Sequence, residues 1–340
     1  MDWGFFQEFL STDSTSGKER KVAEWLAERL PGMFPAANRP ELRAEEVGDG
    51  TLNLLLTWGA PRIVFCSHLD TVPPYISPTF ADDVIKGRGS CDAKGQVFAI
   101  VEACKRLAEE GKTDFGMLLL AGEETGSWGA KAFAKTDFKA EYLVVGEPTD
   151  NCMVSASKGT KSFDLKFTGE PFHSGYPQYG VSAVDLFVAF VNVLKAKDFG
   201  MDPVLGETTW NIGLLHSDNP QNILSPELTC RLYFRTTFVS DEAVCQWMEE
   251  APSVIPGLTG NLAVTARGGD TPARYWTVEG LPSKSVAFGS DAPHLKNFTH
   301  KAICGPGSIT VAHRDDECVR VADLATAVEQ YIALYQAVAK

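Results

Sequence analysis

The sequence predicts an α/β domain interrupted by a smaller ferredoxin-like α+β domain. Short apolar runs, Ile63-Val64-Phe65-Cys66, Met117-Leu118-Leu119-Leu120 and Tyr142-Leu143-Val144-Val145, alternate with helical stretches, as buried parallel strands do. After about residue 155 the pattern changes to half-exposed alternation in the order βαββαβ, the ferredoxin-like unit. Two strands and a C-terminal helix then resume the first style. With 340 residues, 44 % of them apolar, the chain can fill two cores.

The elements follow in order. Residues 18–30 set Val22, Trp25, Leu26 and Leu30 on one helix face, closed by Pro31-Gly32. Strands are expected at 52–57 and 62–67, then a Pro-rich loop from Val72 to Pro78. A helix over about 94–110 ends at Gly111, where a C-cap glycine belongs. The strands ending at Gly122 and Gly146 bracket a shorter helix near Trp128, and this alternation is α/β. Next come a strand at 162–168, a helix at 182–195, strands at 210–215 and 228–237, a helix at 241–250 and a strand at 261–267. Strands at 285–288 and 302–304 and a helix at about 321–338 close the chain. The expected division is a discontinuous catalytic domain, 1–156 with 269–340, and an inserted domain, 157–268.

Bulk properties exclude several function classes. A net charge of −13 argues against nucleic-acid or anionic-membrane partners and mildly favours a cationic substrate. No apolar run approaches the length of a membrane span. The start, Met1-Asp2-Trp3-Gly4-Phe5-Phe6, lacks the features of a signal peptide, so a cytoplasmic location is expected. Eight cysteines without a CxxC pair indicate neither a disulfide framework nor a cysteine zinc site.

Four segments carry the candidate chemistry: Ser67-His68-Leu69-Asp70, Gly89-Ser90-Cys91-Asp92, Gly122-Glu123-Glu124 and Gly146-Glu147-Pro148. Ligands of open α/β sheets bind beyond the carboxyl ends of the strands, so these residues are expected to converge on one crevice. A two-metal hydrolase needs imidazole and carboxylate ligands, a bridging carboxylate, and a free carboxylate to accept a proton from water. His68 can offer a ring nitrogen, and Asp70, two residues along, can orient the ring. Asp92, in a Gly-flanked loop before a helix, could bridge. Glu123 and Glu124, adjacent in an extended segment, would point to different sides, one as ligand and one as base. Glu147 and His313, the latter after the Gly305-Pro306-Gly307 loop, would complete the set.

Taken singly, these residues have blander readings. His68 would be a satisfied core histidine, Glu123-Glu124 an exposed acidic pair, and His313 a surface-loop histidine. Their co-occurrence reverses the odds. Cys91 reads as a small buried apolar residue. Gly87-Arg88-Gly89 lacks the third glycine and the leading strand of a dinucleotide fingerprint. Ser155-Ala156-Ser157-Lys158 and Ser217-Asp218-Asn219 fit two signatures of serine β-lactamases, but the third, KTG, is absent.

Four blocks carry a family resemblance: Ser67-His68-Leu69-Asp70-Thr71-Val72-Pro73, Gly87-Arg88-Gly89-Ser90-Cys91-Asp92-Ala93-Lys94-Gly95, Gly122-Glu123-Glu124-Thr125-Gly126 and Val145-Gly146-Glu147-Pro148-Thr149. In order and spacing the chain resembles the zinc-dependent exopeptidase and deacylase family of acetylornithine deacetylase, succinyl-diaminopimelate desuccinylase, aminoacylase and glutamate carboxypeptidase. The resemblance implies a zinc-exopeptidase-like catalytic domain holding two divalent metals, zinc or cobalt. His68 and Glu147 would bind one, Glu124 and His313 the other, with Asp92 bridging and Glu123 as general base. It also implies an inserted domain that mediates homodimerisation and supplies His173 to the oxyanion, Arg235 to the substrate carboxylate and Asn222 as a further substrate contact.

Departures from the family pattern are Ala93, where many relatives carry an acidic residue or asparagine, and Tyr233, where an aspartate is common. The runs Ser290-Asp291-Ala292-Pro293 and Gly305-Pro306-Gly307-Ser308-Ile309 are most similar to acetylornithine deacetylase, which puts Gly305 among the expected substrate contacts. The expected activity is removal of an N-acyl group, such as acetyl, from an amino acid such as N-acetylornithine. The alternatives are a dipeptidase or carboxypeptidase and a diaminopimelate-type desuccinylase with the same chemistry. From a different class comes a non-enzymatic metal-binding assembly protein.

Overall fold

A continuous apolar run needs cover on both faces, and the central strands receive it. The computed structural model describes residues 1–339, which form two compact units. One comprises Met1–Ser155, Tyr275–Lys284 and the chain from Ser290 on; the other comprises Ala156–Arg274 and Ser285–Gly289.

The first unit holds a six-stranded sheet in the order Glu41–Val47, Thr51–Gly59, Asp114–Leu120, Ile63–His68, Ala140–Val145, Phe298–Ile303. The last four run parallel to one another, while the first two are joined on antiparallel. All six residues of Ile63–His68 are buried. Register matters more than order for the site. His68 pairs with Leu120, and Cys66 pairs with both Leu118 and Val145, so the three strands end within two residues of one another. Their following loops therefore emerge at one edge, as ligand sites of such sheets require.

The helix Lys94–Glu109 is buried along nearly its whole length, because it packs against both the sheet and the helix Val321–Val338. The helix Arg20–Arg29 buries Val22, Ala23 and Leu26, three of its expected or adjacent face positions. The structure adds an N-terminal helix, Trp3–Leu10. The Asp2 side chain accepts from the Phe5 amide at 3.0 Å to cap it, and Phe6 stacks on Phe98 at 4.4 Å. The strand Glu41–Val47 was also not anticipated. It is a mostly exposed edge strand whose charged residues show no apolar alternation. A short antiparallel ladder between Val84–Lys86 and Cys318–Arg320 is likewise a finding of the structure.

The second unit has a four-stranded antiparallel sheet, Thr209–His216, Glu227–Thr236, Gly159–Thr168, Leu262–Gly268, with the helices Ala183–Ala196 and Asp241–Val254. Its chain order is the expected βαββαβ. Burial alternates along Glu227–Thr236, and one face joins Phe163, Phe167, Phe190, Leu232 and Phe234 in a separate core. Among the described residues no helix is long and apolar enough to cross a membrane.

Candidate metal centre

His68 closes its strand and is 1 % exposed, so its ring must find polar partners inside the protein. Its Nε2 lies 3.0 Å from Asp92 Oδ1, and its Nδ1 lies 3.0 Å from the Asp70 carbonyl and 3.4 Å from Asp70 Oδ1. Asp92 presents its other oxygen, Oδ2, to His313 Nε2 at 3.3 Å. The same His313 nitrogen is 2.9 Å from Glu124 Oε1. Asp92 is thus engaged from both ends by imidazoles that come from opposite parts of the chain. His313 sits at φ +64, a left-handed backbone that a loop residue adopts when the surroundings hold it there.

Asp70 does more than orient a ring. Its Oδ1 accepts the amide of Glu123 at 3.0 Å, and its Oδ2 accepts the amide of Glu124 at 3.2 Å and the Ser16 hydroxyl at 2.8 Å. Glu123 and Glu124 do not lie in an extended segment, contrary to the sequence expectation. The Glu123 carbonyl accepts from Gly126 and Ser127 at 3.1 Å each, which makes a turn. Gly122 leads into it at φ +65, where a Cβ would meet Trp128 Cδ1 at 2.9 Å.

The remaining acidic residues crowd the same place. Glu147 is 4 % exposed, and its Oε1 has no hydrogen-bond partner. Asp291, given no role by the sequence, is 1 % exposed and also has an unpartnered oxygen, Oδ1. The signal for it was the Ser290-Asp291-Ala292-Pro293 run, read only as a likeness. Burial pushes Asp291 up to about 6, with the Ser127 hydrogen bond pulling the other way.

These charges perturb one another. Burial pushes Glu147 well up, reinforced by Glu123 and Asp92. Burial likewise drives Glu123 well above the usual carboxylate range; His68 opposes this, and Asp291, Glu124 and Asp92 add to it. For His68 burial favours the neutral ring, but Asp70 and Asp92 outweigh it and hold the ring well above the ordinary histidine range. Asp92 is held low because His313 and His68 overcome the penalty of its burial. His313 is pushed up to about 10 by Asp92 and Glu124.

This surplus of inward-facing carboxylates suits a cation. Single donor atoms of His68, Asp92 and Glu124 all lie within 4.8 Å of one another. A donor set of imidazole and carboxylate, with a two-ended carboxylate and the orphaned Glu147 oxygen beside it, fits divalent metals of the zinc kind.

The other expected residues are placed differently. In the second unit, exposed His173 accepts the Gly175 amide on Nδ1 at 3.0 Å and forms a β-bridge with Ile223. The Ser174 amide bonds the Asn222 carbonyl at 2.9 Å, so His173 and Asn222 sit on joined segments. Arg235 lies with its guanidinium 5.0 Å from the centre of the Tyr233 ring. In the first unit Gly305 is buried, its amide bonded to Thr149 Oγ1 at 2.9 Å and its carbonyl accepting from Asn151 at 2.8 Å. A Cβ there would meet Gln96 Oε1 at 2.0 Å, so close packing requires glycine at this position.

The model of the Peptidase family M20/M25/M40 matches residues 64–337, which include every expected metal ligand. The chain belongs to this family. Two relatives of the M20 protein named "Probable carboxypeptidase" are from Aspergillus terreus and Emericella nidulans. The first is 31 % identical over 98 % of this chain and 85 % of the relative. The second is 32 % identical over 97 % and 88 %. Among solved structures, aminopeptidase PepT from Bacillus cereus superposes with a TM-score of 0.80 at 22 % identity, covering 99 % of this chain and 98 % of that one. The M20 fold is therefore shared across nearly the whole chain, and the protein is a hydrolase of the M20 peptidase type.

Proposed function

We propose that this M20 hydrolase is a metal-dependent exopeptidase of the carboxypeptidase or dipeptidase type, acting on a short peptide with a free carboxylate. One observation carries the metal chemistry: Asp92 offers Oδ1 towards His68 at 3.0 Å and Oδ2 towards His313 at 3.3 Å, the disposition of a bridging ligand. His68 and Glu147 would hold one ion, Glu124 and His313 the other. Two divalent ions there, zinc or cobalt, would polarise the amide carbonyl and lower the pKa of water. Glu123 would accept the proton from that water, a task suited to a carboxylate whose burial strengthens it as a base. Asp70 holds the His68 ring and the Glu123 backbone in place.

In the second unit Arg235 would hold the substrate carboxylate and His173 would donate to the oxyanion, with Asn222 as a further contact. An aromatic face beneath Arg235, where an aspartate is common, supports the guanidinium without neutralising it. Homodimerisation through this unit is part of the reading, supported by its exposed edge strand Thr209–His216 with Leu214 and Leu215 71 % and 56 % exposed. A cytoplasmic location goes with it.

The names of relatives at 31 % and 32 % identity favour peptide substrates over the expected N-acetylated amino acid. The deacylase reading stays second because the Ser290-Asp291-Ala292-Pro293 run that suggested it includes Asp291, buried among the charges of the site. The deciding experiment is amine release from an N-blocked dipeptide, an unblocked dipeptide, N-acetylornithine and N-succinyl-diaminopimelate, with and without chelator. Chelator-sensitive cleavage of a dipeptide above the acylated amino acids is expected; the reverse ranking would make it a deacylase. Metal binding with no turnover of any of them would favour the assembly-protein alternative.

A further inference from the structure

Two side chains outside the proposed ligand set connect the loops that carry Asp92 and His313. Arg88 and Glu317 are each 1 % exposed and pair at 2.6 Å through Arg88 Nη1 and Glu317 Oε2. The other oxygen of Glu317, Oε1, accepts three backbone amides: Gly89 at 2.9 Å, Cys91 at 3.1 Å and Asp92 at 3.0 Å. Arg88 Nη1 donates to the Arg314 carbonyl at 3.0 Å, Nη2 to the His313 carbonyl at 3.5 Å, and Nε to the Pro74 carbonyl at 3.3 Å. Glu317, from the His313 side, therefore grips the Asp92 loop, and Arg88, from the Asp92 side, grips the His313 loop.

The backbone ladder alone does not reach so far. Its pairing ends at Lys86 with Cys318, and one more bond follows, from the Gly87 amide to the Glu317 carbonyl at 3.0 Å. Past that point the two segments separate to carry their ligands, and the reciprocal ion pair continues the connection. A buried ion pair is weak grounds for stability, because desolvation offsets most of its attraction. Its pattern of backbone contacts is the informative feature.

We propose that Arg88 and Glu317 are positioning residues that set the separation of Asp92 from His313, and through it the spacing of the two metals. The inference rests on the reading of Asp92 and His313 as ligands. Sites of this kind require their groups within about 0.5 Å of the working geometry, and supporting residues typically change metal affinity about 10–100-fold when lost.

The test is zinc titration of the metal-free protein against a competing chelator, for wild type, Arg88→Lys and Glu317→Gln. Melting temperature is measured alongside, and kcat and KM are measured at saturating zinc. Each variant keeps a polar side chain of similar length, and either one alone decides if the other does not fold. Expected are folded variants in which at least one of two zinc ions binds about tenfold or more weakly, with kcat lowered and KM little changed. Wild-type affinity for both ions in a folded variant, with only the melting temperature lowered, overturns the proposal and leaves the pair a structural one. Failure of the wild type to bind two zinc ions would instead sink the metal-centre reading beneath it.

Discussion

Asp70 binds the backbone of Glu123: its Oδ1 accepts the Glu123 amide at 3.0 Å while lying 3.4 Å from Nδ1 of His68. One carboxylate thus fixes both an imidazole and the turn that presents the proposed base. Asp70→Asn leaves the size unchanged but replaces an acceptor oxygen with a donor that faces an amide or the ring. We expect kcat/KM to fall about 10–100-fold, with weaker zinc binding in the same titration. Unchanged turnover would remove Asp70 from the positioning of both groups.

Glu123 is proposed to move a proton and not to hold a metal. Glu123→Gln should lower kcat by about 10²–10⁴-fold, the usual worth of a general base, while metal content by atomic absorption stays at the wild-type value. Loss of metal together with activity would exchange its role with a ligand's.

The histidine held between Asp92 and Glu124 makes the metal-free protein sensitive to pH. His313 is raised to about 10 in the fold, against about 6.5 unfolded. A raised pKa means that the charged ring stabilises the fold in full below about pH 6.5, and that this is lost as pH climbs through about 10. Melting temperature of the metal-free protein should decline across that window, modestly because the ring is 48 % exposed. His313→Gln should flatten the decline. Zinc must displace the same proton, so apparent zinc affinity should rise with pH over the same range.

Arg235 over the Tyr233 ring at 5.0 Å is proposed to read a substrate carboxylate. Arg235→Lys keeps the charge but not the two-pronged geometry. KM for a peptide with a free carboxylate should rise about tenfold or more, consistent with a charged hydrogen bond of roughly 1.5–3 kcal/mol. Activity on the C-terminal amide should hardly change. An equal loss on both substrates would mean that the residue does not read the carboxylate.

The proposed dimer is tested at the edge strand Thr209–His216. Leu214→Asp with Leu215→Asp places charge on residues 71 % and 56 % exposed, so the fold should tolerate it. Light scattering should then report a monomer where the wild type gives a dimer. A monomeric wild type would dismiss the dimer altogether.

Much of the catalytic unit was legible because buried parallel strands must be apolar throughout. Ile63–Cys66 and Leu143–Val145 declare themselves in this way, and the residues just past these runs were natural candidates. The strand Glu41–Val47 was not legible because an exposed edge places no such demand on its sequence. The Glu123–Glu124 turn differs from the extended segment expected because its local bonds to Gly126 and Ser127 are joined by a long-range one: Asp70, from another strand end, takes both glutamate amides. The packing of Gln96 and Thr149 on Gly305 has no sequence signal, because both partners lie far from it along the chain.

The sequence by itself determined which side chains offer imidazole and carboxylate donors, their order along the chain and the two fold types, since periodicity and residue chemistry are local properties. Tertiary structure alone decided that His313 meets Glu124 across 189 residues, and that Asp291 is buried beside the site. It alone decided that Arg88 and Glu317 tie two loops together. The reason is physical: sheet register brings strand ends close together, and long-range hydrogen bonds then select which side chains share one desolvated space.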